Sequence, residues 1–186
     1  MATYTLQYPP SHDDTYVKAT TKRSTSYWPY FATDPAKSLT GGDSGNEWMA
    51  TNGTLTNQRF HIDLGSVKII RGVYYENHHN SGTNTDQGAR HVTMQGSNVG
   101  TAFAELTYAT NTDWTDLTIS ASEFDQHSAS NATDPKYFTV TNQTAYRYYA
   151  FKIADNWGNG TYLGIRRLVL QTQDDFGGSV MIWSNE

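Results

Sequence analysis

Apolar and polar residues alternate along several short segments of this chain. Every second residue is apolar from Phe60 to Gly65, so an extended strand here has one apolar and one polar face, and we expect Gly65 to end it. A second short strand follows from Ile70 to Val73. Gly72 interrupts its alternation, which indicates a bulge or a close approach of another part of the chain.

The same reasoning predicts further strands along the chain, while no long window repeats apolar residues at helical spacing. Short strands separated by Gly, Asn, Asp and Pro predict an all-β sandwich of two sheets and about eight strands. We expect Trp48 and the residues Tyr149, Phe151 and Ile153 in the core, and a loop with one short helical turn from Ser120 to Asp134. The other predicted strands are Tyr16 to Ala19, His91 to Gln95, Ala104 to Ala109, Asp116 to Ile119, Lys136 to Val140, Tyr146 to Ala154 and Ile165 to Thr172.

Length and composition fit one domain with a substantial core. The chain has 186 residues, of which 37% are hydrophobic and 13% aromatic, and it has no cysteine. We expect residues 1–173 to form the sandwich, with the N-terminal part wrapping around it, and residues 174–186 to form a hinge and a short apolar tail, Val180 to Trp183. Without cysteine the chain has no disulfide framework and no thiolate metal site.

Charge and motifs exclude several classes of function. The formal net charge is −5 and the basic residues are scattered, which is a poor match for a nucleic-acid backbone. No segment is long and apolar enough to span a membrane, and the N-terminus lacks the pattern of a secretory signal. We therefore expect a soluble protein, for which an extracellular or virion-associated location is open. No hydrolase, metalloprotease or phosphate-binding motif is present, so we expect no enzymatic activity.

Several motifs follow one another in an order typical of one family. A turn rich in Gly and Asp precedes Trp48, the strands that begin at Phe60 and Ile70 come next, and Tyr148–Ile153 and Gly164–Leu168 close the series. In this order the chain resembles the discoidin, or coagulation-factor C-type, domains of the galactose-binding-like superfamily, which also includes many bacterial carbohydrate-binding modules. The resemblance covers about three quarters of the chain and implies a jelly-roll β-sandwich that binds ligands through loops at one rim, without catalysis.

The resemblance also implies a structural calcium ion, which an Asp-Gly turn before the tryptophan and a glutamate of the closing strand help to hold. Here the turn reads Gly42-Asp43-Ser44, and Arg167 stands where the glutamate is expected. Asp43 and Asn46, with backbone carbonyls of the same turn, offer the hard oxygen ligands that calcium prefers. The alternative is an ordinary Asx-rich turn without a metal.

A polar loop of about a dozen residues is the first candidate binding segment, because loops of this length are often functional. It contains Glu76, Asn77, His78 and His79, and Arg90 stands at its far end. Carboxylate, amide, imidazole and guanidinium groups suit the paired donors and acceptors of sugar hydroxyls. The alternatives are a merely solvated loop, or metal ligation by the two histidines, which is disfavoured because neighbours on an extended segment point to opposite sides.

A second loop joins the last two predicted strands and contains Asn156, Trp157 and Tyr162 among glycines and asparagines. An aromatic ring can stack on the C–H face of a sugar while neighbouring amides bind its hydroxyls. Trp157 could equally cover the core beneath the loop. In a jelly roll, this loop and the polar loop are expected at the same rim.

The sequence therefore predicts a non-catalytic carbohydrate-binding module that recognises a sugar through two loops at one rim. The alternative is a structural or adhesion domain of a virion or surface assembly. In that case the apolar tail would form a homo-oligomer or contact a parent assembly, because an unpaired apolar strand seeks a partner.

Overall fold

Ten strands form one curled antiparallel sheet that folds into two layers, in a computed structural model that describes residues 3–174. The first layer contains β1 (Thr3–Gln7), β10 (Gly164–Asp174), β5 (Gly72–Asn77) and β8 (Lys136–Thr141), with the short β3 (Trp48–Met49) paired to β10. The second contains β7 (Thr115–Ile119), β6 (Val92–Ser97), β9 (Tyr146–Ile153), β4 (Gln58–Lys68) and β2 (Val17–Ala19). Pairing of β7 with β8 joins the two layers. The predicted tail, Val180 to Trp183, lies outside the described residues.

Short helices connect some of these strands. Two are 3-10 helices, Pro29–Ala32 and Thr85–Gln87, and one is a single α-helical turn, α1 (Gly100–Ala104). The predicted strand from Ala104 to Ala109 is wrong, because the chain forms α1 and then an irregular segment, and Phe103 of α1 is buried. The predicted helical turn between Ser120 and Asp134 is also wrong, since that described loop is irregular. No helix within residues 3–174 is long and apolar enough to cross a membrane.

Two predicted strand ends differ from the structure, and each lies at a glycine. Gly65 does not end β4: it has a φ of +70°, and the strand continues to Lys68 through a shift of register against β9. A Cβ atom on Gly65 would lie 2.5 Å from Cγ of Pro10, so only glycine fits. Gly72 begins β5 and marks a close approach, because a Cβ there would lie 3.0 Å from the ring of Tyr4.

The core lies between the two layers and contains the predicted residues: Trp48, Tyr149, Phe151 and Ile153 are fully buried. The polar face of β4 is buried as well, although alternation alone predicts that it faces solvent. The segment that includes α1 covers it, and the ring of His61 contacts the carbonyl oxygen of Phe103 at 2.9 Å. Burial lowers the pKa of His61 to about 4, so its imidazole is neutral at physiological pH.

Candidate functional site

The loop between β5 and β6 and the loop between β9 and β10 lie side by side at one rim of the sandwich. The backbone N–H of Arg90 donates to the carbonyl of Asp155 at 2.9 Å, and that of Trp157 donates to the carbonyl of Gly88 at 3.2 Å. Ala89 forms an isolated antiparallel bridge to the second loop. The two loops that the sequence nominates are therefore neighbours.

A third loop, between β7 and β8, reaches the same rim. The N–H of Phe124 donates to the carbonyl of Arg90 at 2.9 Å, and Glu123 forms a bridge with His91. The indole Nε1 of Trp157 donates to the carbonyl of Phe124 at 3.1 Å. Three segments that are distant in sequence thus fix one another through their backbones.

Four partly exposed polar side chains form an array on this rim, which we call the rim array: Arg90, His91, Glu123 and Asp155. Arg90 Nε lies 3.2 Å from Glu123, and the two ring nitrogens of His91 lie 2.9 Å from Glu123 and 2.8 Å from Asp155. These side chains are 35% to 42% exposed. The guanidinium carbon of Arg90 lies 4.5 Å from the ring centre of Trp157, so the tryptophan supports the array from below.

The charges of the rim array keep Glu123 ionised. Its hydrogen bond with Arg90 lowers the pKa of Glu123, and the attraction of Arg90 and His91 acts in the same direction. The carboxylate therefore accepts hydrogen bonds at neutral pH, while the guanidinium beside it donates them. Such a mixture of donors and acceptors can bind a ligand that carries several hydroxyl groups.

A shallow depression of 180 Å³ adjoins the rim array and is lined by His91, Tyr108 and Lys152, among other residues. A larger depression of 420 Å³ lies elsewhere, between β2 and the segment that contains Trp28 and Pro29. We place the candidate site at the rim, because the polar groups that fix a small ligand converge there, and volume alone does not orient a ligand.

Glu76 and Asn77, predicted as sugar contacts, are both about 1% exposed. Glu76 accepts a hydrogen bond of 2.6 Å from the hydroxyl of Tyr74. The amide of Asn77 donates to the carbonyls of Ala89 and Asp125 at 2.7 and 2.9 Å. The prediction that these side chains contact a sugar is corrected, because they are buried and hold the rim loops together from inside.

The two histidines of the same loop are also fully buried. His78 Nδ1 lies 2.6 Å from the carboxylate of Glu47. His79 Nδ1 accepts the backbone N–H of Gly82, so its Nε2 carries the proton and donates to the carbonyl of Leu39 at 3.0 Å. Burial lowers the pKa of His79 to about 4. Their prediction as sugar contacts is corrected for the same reason.

In the loop between β9 and β10, one of the predicted sugar contacts is also buried and others are partly exposed. Asn156 is 8% exposed, and its amide donates to the carbonyls of Asn159 and Tyr162, which closes the loop on itself. The ring of Tyr162 is partly exposed, with the guanidinium of Arg23 at 4.1 Å from its centre. Of the predicted sugar contacts, the structure thus brings Arg90 and Trp157 together at the rim.

The similarity of this chain to known proteins lies in its fold. No protein-family model and no curated protein matches the chain. Truncated AlyQ, with family 32 carbohydrate-binding module and alginate lyase domains, matches with a TM-score of 0.60 at 17% identity over 94% of this chain, which spans 35% of that protein. The family 32 module of AlyQ in complex with 4,5-unsaturated mannuronic acid matches with a TM-score of 0.54 at 19% identity, over 89% of this chain and 98% of the module.

The family 32 module of C. perfringens NanJ, in complex with galactose, matches with a TM-score of 0.57 at 13% identity, over 91% of this chain and 100% of the module. The chain has a galactose-binding-like β-sandwich fold. The narrower resemblance to discoidin domains stays a prediction.

Within this galactose-binding-like fold, the sequence reasoning missed three members of the rim array: His91, Glu123 and Asp155. His91 and Asp155 stand at the ends of the nominated loops, where a change from alternating to irregular sequence is a usable signal. Glu123 belongs to a third loop, and its β-bridge to His91 joins positions that are remote in sequence. No local pattern reports such a contact.

The turn that the galactose-binding-like resemblance nominates for calcium is closed by its own side chains. The Asn46 amide accepts the N–H of Ser38 and donates to the carbonyl of Gly42, both at 3.1 Å. Asp43 accepts the hydroxyl of Tyr27 at 3.2 Å. The side-chain oxygen of Asn46 thus already accepts a backbone hydrogen bond, and metal binding by Asp43 and Asn46 stays a prediction. Contacts of this kind also occur in the alternative, an Asx-rich turn without a metal.

Proposed function

We propose that the protein is a non-catalytic carbohydrate-binding module whose sugar site is the rim array. The observation that carries the proposal is the set of four polar side chains that are more than one third exposed and paired with one another across three loops. Surface ion pairs of this kind contribute little to stability, about 0 to 1 kcal/mol, so a ligand can replace their mutual contacts at small cost.

Sugar hydroxyls match these groups. A hydroxyl donates to a carboxylate and accepts from a guanidinium or an imidazole, and adjacent hydroxyls on a pyranose do both at once. The rim array offers Glu123 and Asp155 as acceptors, with Arg90 and His91 beside them. The site is shallow and buries little ligand surface, so we expect weak affinity for a single sugar.

The electrostatics of the array favour binding over hydrolysis. A glycosidase needs one carboxylic acid that stays protonated until it donates to the leaving oxygen. Here Arg90 lowers the pKa of Glu123, which is the opposite of the shift required for a general acid. Glu123 is therefore suited to accept a hydrogen bond and unsuited to donate a proton.

The ligands named for the similar modules guide the choice of sugars. One of these modules is in complex with galactose, and another with 4,5-unsaturated mannuronic acid. In this chain, the rim array holds two carboxylates and one guanidinium, so it should repel an acidic sugar more than it attracts one. We therefore expect a neutral sugar such as galactose to bind better than a uronic acid.

Titration calorimetry with a panel of neutral and acidic sugars tests the proposal, using wild type, Arg90→Ala and the matched control Arg147→Ala. Arg147 is 41% exposed, lies 5.0 Å from the ring centre of Tyr148 and is paired at 2.8 Å with the buried Asp63, so it is a partly exposed arginine outside the rim array. Arg90→Ala loses charged hydrogen bonds to the sugar, so its affinity should fall about tenfold or more. Arg147→Ala should bind as wild type does.

Equal affinities in both variants would exclude the rim array as the site. Absence of binding by the wild type to every sugar would exclude the proposed function itself.

A further inference from the structure

A buried guanidinium lies at the centre of a cage of oxygen atoms. Arg166 of β10 is 0% exposed. Its Nη1 donates to the carbonyls of Ser38 and Thr40, each at 3.2 Å. Its Nη2 donates to the carbonyls of Gly41 at 3.1 Å and His79 at 2.6 Å. Four backbone oxygens from two loops therefore face one positive charge.

A buried carboxylate completes the cage. Oε2 of Glu47, also 0% exposed, lies 3.7 Å from Nε of Arg166. Neither of these two atoms has a hydrogen-bond partner, so their contact is one of charge with charge. A charge removed from water is strongly destabilising unless opposite charges and dipoles surround it, and the cage supplies both.

Backbone carbonyls and a carboxylate are the ligands of a hard cation. Calcium takes about six to eight oxygen ligands of these two types. The cage uses the turn before Trp48 and the closing strand, which are the two segments that the family resemblance nominates for calcium. The neighbouring Arg167 also binds this turn, because its Nη2 donates to the carbonyl of Lys37 at 2.7 Å.

The residues present do not fit calcium while Arg166 occupies the cage, because a divalent ion would meet the guanidinium charge. A second group, Asp43, Glu47 and His78, has possible ligand atoms within 4.8 Å of one another. In that group, however, His78 and Glu47 bind each other at 2.6 Å, and imidazole is not among the oxygen ligands that calcium selects.

We propose that the guanidinium of Arg166 takes the place of a structural cation in this fold. It holds the turn before Trp48 and the beginning of the loop between β5 and β6 against β10. The fold and the rim loops are then independent of divalent metals. The assignment does not rest on the proposed sugar site, because it concerns only contacts within the chain.

Thermal unfolding of the full chain tests this assignment. The wild type should keep the same Tm with a chelator, with added calcium and with added zinc. Arg166→Ala should lower the Tm by about 6 °C or more, as expected for a buried charge removed from a domain of this size. Millimolar guanidinium or calcium should restore part of that loss, whereas tetramethylammonium, which has no N–H donor, should not.

Arg71→Ala serves as the control, because its guanidinium is partly exposed and donates only to the exposed Gln143 at 3.0 Å, so added guanidinium should not change the Tm of this variant. A wild-type Tm that falls with chelator and recovers with calcium would overturn the assignment, as would stabilisation by zinc. An unchanged Tm in Arg166→Ala, or no response of this variant to either guanidinium or calcium, would overturn it too. Should Arg166→Ala fail to fold, the measurements on the wild type still decide.

Discussion

The two ends of the loop between β5 and β6 carry similar polar residues and differ in where those residues lie. At the first end, Asn77 and His79 are at most 1% exposed and bind backbone carbonyls of distant segments. At the far end, Arg90 and His91 are 37% and 42% exposed and bind carboxylates that are themselves exposed. Similar chemistry therefore serves a structural role at one end, while at the other end it is exposed and belongs to the site that we propose for a sugar.

The difference follows from the cost of breaking each contact. A buried polar group that loses its partner remains unsatisfied, which costs about 1 to 3 kcal/mol, more than most ligands can compensate. An exposed ion pair exchanges its partner for water or a sugar hydroxyl at a cost near zero. A binding site in this protein is therefore expected where polar groups are paired and exposed.

Substitutions at the two ends should differ most in their effect on the free energy of unfolding. Asn77→Ala removes two amide donors and leaves the carbonyls of Ala89 and Asp125 without them, so the free energy of unfolding should fall by about 2 to 4 kcal/mol. His91→Ala breaks only exposed ion pairs and should change it by less than about 1 kcal/mol. Urea denaturation of both variants measures the difference. Equal losses would contradict the structural role of the buried end.

A smaller effect on the free energy of unfolding depends on pH. Burial lowers the pKa of His79 from its ordinary 6.5 to about 4, so the unfolded chain binds a proton more readily than the folded chain between these values. The contribution of His79 to stability is therefore present above pH 6.5 and is lost as the pH falls toward 4, by about 1.4 kcal/mol for each pH unit within that window.

The NMR signal of the His79 ring, followed as a function of pH, checks this directly. Its titration midpoint should lie near 4. A midpoint near 6.5 would show that the ring is accessible to water and would return His79 to the list of candidate sugar contacts.

The fold class was predictable because its signals are local. Alternation located β4 and β9, and the order of motifs indicated the β-sandwich. The errors arose where tertiary contacts overrule local preference. Residues 100–104 form a helix since Phe103 packs on Tyr148, with ring centres 5.0 Å apart, and β4 passes Gly65 through a bulge against Pro10.

The candidate site was predictable only in part. The sequence identified two of the three rim loops, since both are long or rich in glycine and asparagine. It could not show that Glu76 to His79 are buried, because the groups that cover them, such as Leu39 and Asp125, are remote in sequence. Nor could it show that a third loop brings Glu123 to the rim.

The proposed sugar site is the rim array, beside Trp157. The indole N–H of Trp157 donates to the carbonyl of Phe124, next to Glu123, so its ¹H–¹⁵N signal should report ligand binding there. Trp28, which lines the larger depression elsewhere, provides an internal control in the same spectrum. On titration with galactose, we expect a saturable shift of the Trp157 signal and a constant Trp28 signal. A shift confined to Trp28, with Trp157 unmoved, would contradict it.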